Sequence, residues 1–455
     1  MIRRAGLAAA GLLVVAAWAP AHAAAHGLGG RADLPVPAWL FSWAAGAVLV
    51  VSFLAMAVLW RTPRFEGAGG RALGRVPLAL EVLAGAAGVA LLALVVAAGL
   101  AGTADPLDNL APTAIYVAFW VGIPLASALA GDVFRPLNPW RALARAGAWL
   151  AGRTRGRPLR APLSYPERLG RWPAAAGVLA FGWVELAYPG GDVPSRLAGM
   201  ALAYAAVQLA GMALFGIERW TERADAFAVA FGMIGRIGPL AARGGRLVLR
   251  RPFAGLAGLD PAPGTAAVAC ALIGVTTFDG ASNGELWAEV RPDLAGALGG
   301  TAADTLGLLV AGALVGGLYA LGVAGMRGAV RRPPAGLAER FAAALVPIGL
   351  AYAIAHYFSL VVFQGQALPH LLADPLGRGP EGPDIDYGAI GAEAIWYVQV
   401  AALVAGHVAG LVLAHDRALA LFPRAGEAVR SQYWMLAVMV GYTGLGLWLL
   451  SAVST

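Results

Sequence analysis

The sequence predicts an all-α membrane protein, a transmembrane helix bundle of about ten spans behind a cleaved signal peptide. Hydrophobic residues make up 59% of the 455 residues and charged residues only 13%, whereas soluble domains average roughly 45–50% apolar and about 25% charged. Ten apolar stretches approach the roughly 20 residues that a helix needs to cross a bilayer. The predicted spans are residues 39–60, 77–100, 112–130, 173–188, 196–216, 264–279, 303–325, 340–363, 393–415 and 432–453.

Residues 1–25 have the pattern of a secretory signal peptide, which leaves residues 26–455 as the membrane domain. Arg3 and Arg4 precede an apolar run, and the small residues after it fit cleavage behind Ala23 or behind Ala25. Cleavage behind Ala25 would make His26 the first residue, where its α-amino group and imidazole together suit a metal such as copper. The alternative is that His26 is an ordinary residue of an exposed tail.

Arginine is unevenly distributed between the two sides of this predicted bundle. The loops on one side hold 27 arginines and those on the other side hold four. Because the excess of basic residues lies in cytoplasmic loops, both the mature N-terminus and Thr455 are predicted outside the inner (plasma) membrane. The same asymmetry explains the net charge of +7 without a nucleic-acid partner. The loops predicted inside are residues 61–76, 131–172, 217–263, 326–340 and 416–431.

The residue inventory excludes several kinds of chemistry. All 33 basic residues are arginine, so there is no lysine for a Schiff base or a phosphate-binding loop. A single cysteine, Cys270, excludes an intrachain disulfide and a thiolate metal cluster. The H-E-x-x-H motif is also missing from the sequence. What remains is a metal-assisted reaction at histidine and carboxylate groups, or transport.

Histidines are concentrated near the C-terminal end, where residues 350–415 hold four of the six. Tyr352 and His356 stand four residues apart in an apolar span, so they share one helix face. His407 lies in the next span with Gln399. Ionisable groups inside a membrane are costly to bury and therefore indicate a functional site. The alternative is that each is a buried group satisfied by a neighbouring helix.

The sixth predicted span is short. Its apolar run begins at Gly264 and is interrupted at residues 276–284, and such interruptions mark binding sites in transporters. Asp279 and Asn283 stand four residues apart across this interruption, where they would present two oxygens to a cation or a polar substrate. The alternative is an ordinary helix end that Asp279 caps.

Depth in the bilayer indicates which of these groups meet. At a rise of about 1.5 Å per residue, Asp279, Asn283 and His356 fall in the outer third of the membrane, and we expect them to share one outward-facing cavity. Glu185 lies at a similar depth. His356 and His407 differ by roughly 6 Å in depth, so direct ligation of one metal by both requires a tilt or a kink.

Nine strings of the sequence carry a resemblance to a known family. They are His26 to Pro37, Trp39 to Phe41, Thr277 to Gly280, Ala355 to Ser359, Gln364 to Gln366, Asp374 to Gly377, Trp396 to Gln399, Gly406 to Gly410 and Ala414 to Arg417. They resemble bacterial multi-pass membrane proteins that commonly carry the name fenitrothion hydrolase, and the likeness extends over nearly the whole mature chain. The resemblance implies hydrolysis of an organophosphorus triester with release of a nitrophenol, but it carries over no catalytic residues.

Two functions are therefore expected, a hydrolase or a transporter. The hydrolase would use a divalent metal, zinc or copper, to activate water against an apolar triester that enters from the bilayer. The alternative is a transporter or metal-handling permease for a small cationic substrate, and either one fits a partner subunit or a homo-oligomer. The expected catalytic residues are Asp279, His356 and Glu185. The expected substrate or pathway residues are Asn283, Gln364, Gln399, His407 and Tyr352. The expected metal ligands are His26, His356, His407 and Asp279.

Overall fold

A computed structural model of the chain describes residues 38–66, 69–157, 160–380, 382, 384–422 and 424–453. The predicted signal peptide, His26 and Thr455 lie outside the described residues. The helices are α1 (Ala38–Leu59), α2 (Leu78–Ala101), α3 (Leu110–Ala130), α4 (Pro139–Arg155), α5 (Trp172–Leu186), α6 (Pro194–Phe215), α7 (Ile217–Arg223), α8 (Ala226–Gly235), α9 (Thr265–Ser282), α10 (Glu285–Leu298), α11 (Gly300–Ala329), α12 (Leu337–Phe341), α13 (Val346–Gln364), α14 (Leu368–Ala373), α15 (Ala392–Leu421) and α16 (Ala425–Val453). Single turns occur at Phe134–Leu137, Glu167–Leu169, Ala254–Ala257, Ala342–Ala344 and Gly365–Ala367.

The prediction of an all-α helical bundle is confirmed, and each predicted span overlaps a helix. Within the described residues, seven helical segments are long and apolar enough to cross a membrane, so the number ten stays a prediction. Helix α5 contains only 15 residues. Arg171 precedes its first residue, Pro173 lies in its first turn, and a turn at residues 188–191 follows its end.

Helix α9 lies at the centre of the bundle. In α9, 72% of the most apolar 18-residue stretch is buried, whereas in α2 the buried share is 22%. Helix α9 packs against α5, α11, α13 and α16. The prediction that this span breaks at residues 276–284 is wrong, because the helix continues to Ser282. Asn283 ends it by donating from Nδ2 to the backbone oxygen of Asp279, 2.9 Å away. The glycines and polar residues there form an ordinary helix end, which is capped by Asn283 and not by Asp279.

Helices α13 and α15 form the most extensive helix pairing among the described residues. Gly406 makes their close approach feasible, because a Cβ atom there would lie 2.2 Å from Cβ of Ala351 and 2.7 Å from the backbone oxygen of Pro347. The Gly406 and Gly410 pair thus has the small-xxx-small spacing that lets membrane helices pack backbone to backbone.

We expect Gly406→Leu to destabilise the bundle by about 1–3 kcal/mol, since the added side chain must push α13 away from α15. Thermal unfolding in detergent measures the change. Gly316→Leu is the matched control, because a Cβ atom at Gly316 in α11 meets nothing within 4 Å. Equal melting temperatures for the Gly406 variant and the wild type would contradict the packing described here.

A small sheet joins two of the loops predicted inside, and it was not expected from the sequence. Its strands are β1 (Arg71–Arg75), β2 (Leu240–Arg243) and β3 (Arg246–Leu249), antiparallel in the order β1-β3-β2. Gly244 and Gly245 turn the β2–β3 hairpin with positive φ angles of 55° and 71°. Each strand has only four or five residues, too few for an alternating pattern to stand out in an arginine-rich loop.

A buried carboxylate organises the same side of the bundle. Asp225 is 0% exposed and accepts four hydrogen bonds. Asn138 Nδ2 and Tyr204 OH donate at 2.9 Å each, the backbone nitrogen of Ala228 at 3.1 Å, and Trp140 through Nε1. Burial raises the pKa of Asp225, and these donors oppose the rise. The network joins α4, α6 and α8 and thereby anchors two of the loops predicted inside, residues 131–172 and 217–263.

Candidate functional site

Asp279 and His356 are in direct contact within the bundle. Nε2 of His356 lies 2.9 Å from Oδ2 of Asp279. Asp279 stands in the last turn of α9, and His356 stands at the middle of α13. Their side chains keep 12% and 22% of their accessible surface, so the pair is mostly buried but can still be reached.

Tyr357 connects this pair to Glu185 on α5. Its hydroxyl lies 3.4 Å from Oε1 of Glu185, and the side chains of Asp279 and Trp120 lie close to it. A phenol has one proton to donate, so Tyr357 can donate to only one of the two carboxyl groups at a time. Oε2 of Glu185 is buried and has no hydrogen-bond partner in the described part of the chain.

Close packing of α5 and α9 brings the two carboxyl groups near each other. A Cβ atom at Gly182 would lie 2.5 Å from the Val275 side chain, so only glycine permits this approach. Glu185 stands one turn after Gly182, and Asp279 stands one turn after Val275. Residues one turn apart share a helix face, and the contact at Gly182 therefore directs both carboxyl groups into one region.

The far ends of the site helices are tied together by two charged side chains. Arg171, which begins α5, donates from Nη1 to the Asp260 backbone oxygen at 2.7 Å and to Thr265 Oγ1 at 2.6 Å. Burial and repulsion from Arg223 lower the pKa of Arg171 to about 10, so it stays cationic at neutral pH. Glu339 of α12 accepts from Ala266 N at 2.7 Å. Anions stabilise a helix N-terminus, and α9 is fixed there relative to α5 and α12.

The centre of α3 contributes a residue that sequence reasoning missed. Residues Ala114–Gly122 form a π-helix, a widened form that is rare and frequent at functional sites. It presents Trp120, which lies close to Tyr357 and packs at 4.5 Å between ring centroids against Phe181. Tyr116 donates to the backbone oxygen of Gly191 at 2.6 Å. The sequence here is uniformly apolar, and no local signal marks π-helical turns.

The cluster of Glu185, Asp279, His356 and Tyr357 combines groups that exchange protons. We call it the acid–base cluster. Glu185 and Asp279 repel each other electrostatically, and one imidazole can balance only one carboxylate. Ionised groups are costly to bury without an opposite charge. Asp279 and His356 are placed to share one proton, and Glu185 has no ion-pair partner in the part of the chain that the structure describes.

Of the four other predicted residues, Asn283 is hydrogen-bonded to the backbone of the acid–base cluster at Asp279, and the other three make no hydrogen bond to the cluster among the described residues. Asn283 caps α9, as described above. Gln364 at the end of α13 and Gln399 on α15 are half-buried, and within the described residues neither is hydrogen-bonded to the cluster. Tyr352 donates its hydroxyl to the backbone oxygen of Tyr442.

The expected metal set is not assembled by the fold. The described residues include no group of three or more His, Cys, Asp or Glu side chains that could hold a metal ion, so Asp279, His356 and His407 do not converge. The reason is helical geometry, because the His407 ring packs beside Tyr352 at 5.9 Å, one turn of α13 before His356. Asp279 and His356 alone supply two of the three protein ligands that a catalytic zinc site requires.

Comparisons of the chain with models of protein families, with curated proteins and with solved structures find no match. The resemblance to fenitrothion hydrolases therefore stays an expectation. Function has to be argued from the acid–base cluster itself.

Proposed function

We propose that this chain is a multi-pass transporter in which the acid–base cluster binds and releases protons during movement of a small cation or polar substrate. The observation that supports this most is the contact of 2.9 Å between His356 and Asp279 inside a bundle of apolar helices. Intramembrane histidine and carboxylate groups facing the bundle interior are the usual components of proton relays.

Tyr357 gives the acid–base cluster a means of coupling its two carboxyl groups. When a proton binds Asp279, that group no longer needs the phenol proton, and Tyr357 is free to donate to Glu185. When Asp279 is ionised, the phenol donation returns to it. Each exchange reorients the phenol O–H, which keeps its proton, so the proton that moves is the one that binds and later leaves Asp279. Protonation of groups that interact this closely belongs to the cluster as a whole.

Hydrolysis of an apolar phosphotriester is the second candidate, and the same contact favours it. In an Asp–His pair, the carboxylate orients the imidazole, and the other ring nitrogen takes a proton from an attacking nucleophile. Here Nδ1 of His356 would act on a water molecule aimed at phosphorus. Zinc or copper at Asp279 and His356 would polarise the phosphoryl group, but a third ligand is missing from the described residues.

Reconstituted protein separates the two proposals. Proteoliposomes loaded with a pH-sensitive dye report proton movement after an imposed pH gradient, and the same protein is assayed for nitrophenol release from a dialkyl nitrophenyl thiophosphate. We expect proton flux in the wild type that is lost in Asp279→Asn, without triester turnover. Turnover that depends on Asp279, in the absence of flux, would replace transport by hydrolysis. Flux equal in wild type and variant would overturn the transport proposal.

The orientation in the membrane is part of the proposal. We place the chain in the inner membrane, with residues 131–172 in the cytoplasm and both mature termini outside, since the arginine-rich loops alternate with arginine-poor ones. We expect a periplasm-active reporter fused after Thr455 to be active and one inserted near Gly156 to be inactive. Activity of a cytoplasmic reporter at Thr455 would contradict this orientation.

A further inference from the structure

His407 carries an unused proton acceptor in the middle of α15. Its Nδ1 lies 2.7 Å from the backbone oxygen of Leu403. Because a carbonyl oxygen only accepts, this contact assigns the ring proton to Nδ1 and leaves a lone pair on Nε2. The residue is 0% exposed, and Nε2 has no hydrogen-bond partner among the described residues. A buried acceptor without a donor costs free energy, so the lone pair requires an explanation.

Among the described residues around His407, no other titratable side chain is free to accept a proton. On α13, Tyr352 donates to the backbone oxygen of Tyr442. On α16, Tyr442 donates in turn to the backbone oxygen of Val315 at 2.5 Å. Helix α1, which also packs on α15, contains no titratable residue between Ala38 and Leu59. In this layer of the described bundle, the imidazole of His407 is the group that can accept a proton.

Contacts on α13 connect this layer to the acid–base cluster. The ring of His407 packs at 5.9 Å from that of Tyr352, and Tyr352 stands one turn, about 6 Å of helix rise, before His356. The neighbouring Gly406 holds α15 against α13 at this level. His407 is therefore fixed next to the cluster, on the side that the arginine distribution places further inside.

A third histidine continues the series. His415 lies two turns further along α15, about 12 Å of rise, and is 0% exposed. Its Nε2 is 2.9 Å from the backbone oxygen of Trp60, and its Nδ1 is 3.2 Å from Oε1 of Gln432. Nε2 of Gln432 donates to the Ala428 backbone oxygen at 2.8 Å, which turns its oxygen toward His415. A carbonyl oxygen only accepts, so a proton lies on Nε2, and Nδ1, which faces the Gln432 amide, is the nitrogen at which the ring can gain or release a proton.

Resting on the proposed transport function, we infer that His407 is the middle station of a proton path that leads from the acid–base cluster to His415. Nε2 of His407 accepts a proton to give an imidazolium, and the ring returns to neutral when it releases one proton toward His415. Water carries the proton across the gaps between the stations. No electrons move, and one proton enters for each that leaves.

The variant His407→Asn tests this inference. The side-chain amide nitrogen of the introduced asparagine would occupy the position of Nδ1 and could still donate to the Leu403 oxygen. Unlike the imidazole, it has no titratable lone pair. We expect proton flux in proteoliposomes to fall tenfold or more, with the melting temperature close to that of the wild type. Thr443→Val is the matched control, because it also removes a polar group that is bonded one turn back, at 2.9 Å to the Met439 oxygen. We expect the proton flux of Thr443→Val to stay within twofold of the wild-type flux.

The outcomes separate the inference from the function on which it rests. Wild-type flux in His407→Asn, together with loss in Asp279→Asn, would overturn the path and leave the transport function standing. Unchanged flux in both would remove the transport function itself. If His407→Asn fails to fold, His407→Gln places an uncharged amide at Nε2. Retained flux in either folded variant contradicts the inference, and loss in a folded variant supports it.

Discussion

Asp225→Ala is expected to destabilise the protein by about 3–5 kcal/mol, because it leaves three buried side-chain donors without an acceptor. Asn138, Trp140 and Tyr204 all point at this carboxylate, and truncation also takes away the cap of α8. Each unsatisfied buried donor costs about 1–3 kcal/mol. Chemical or thermal unfolding in detergent measures the loss.

Asp293→Ala provides the comparison for this prediction. Asp293 is an exposed carboxylate on α10, and surface substitutions of this kind usually change stability by less than about 0.5 kcal/mol. If the Asp225 and Asp293 variants unfold at the same temperature, the four-donor network does not stabilise the fold as described.

Asp279→Asn is expected to lower the rate of the protein's activity, proton flux in our proposal, by about 100-fold or more. The amide preserves the size of the side chain and can still accept from His356. It carries no charge to balance an imidazolium and cannot take up a proton. The rate is measured in proteoliposomes at equal amounts of folded protein.

Asp304→Asn is the matched control for Asp279→Asn. Asp304 is also a carboxylate paired with a cation, since its Oδ1 lies 2.7 Å from Nε of Arg291, but this pair stands apart from the acid–base cluster. Pairs of this exposed kind contribute about 0–1 kcal/mol, and we expect flux within twofold of the wild type. Equal losses in both variants would indicate a general electrostatic effect and not a site.

The bundle could be predicted from the sequence because spans of about 20 apolar residues are dictated by the bilayer itself. Helix α9 shows the limit of this reasoning. Its polar end at residues 276–284 has the composition of a broken span, but the chain there forms an ordinary helix end with Asn283 as its cap. A cap and a break use the same glycine and asparagine residues, and only the backbone hydrogen bonds distinguish them.

Depth was enough to place Asp279 and His356 at one level, and the fold brings them into contact. Depth also indicated that His407 lies roughly 6 Å from the level of His356, and His407 packs beside Tyr352, one turn of α13 before His356. Tyr357 escaped notice since an aromatic residue in an apolar helix resembles core packing. Trp120 escaped notice because π-helical turns change which side chains face inward, and composition does not reveal them.

The central claim is that Asp279 and His356 act as one unit in handling protons. Proton flux in the Asp279→Asn, His356→Gln and doubly substituted proteins tests it most directly, because groups that act together show strongly non-additive losses. We expect proton flux to fall about 100-fold in each single variant. In the double variant, we expect the flux to fall no further than in the more impaired single variant. Losses that multiply in the double variant, or single variants that keep wild-type flux, would contradict the claim.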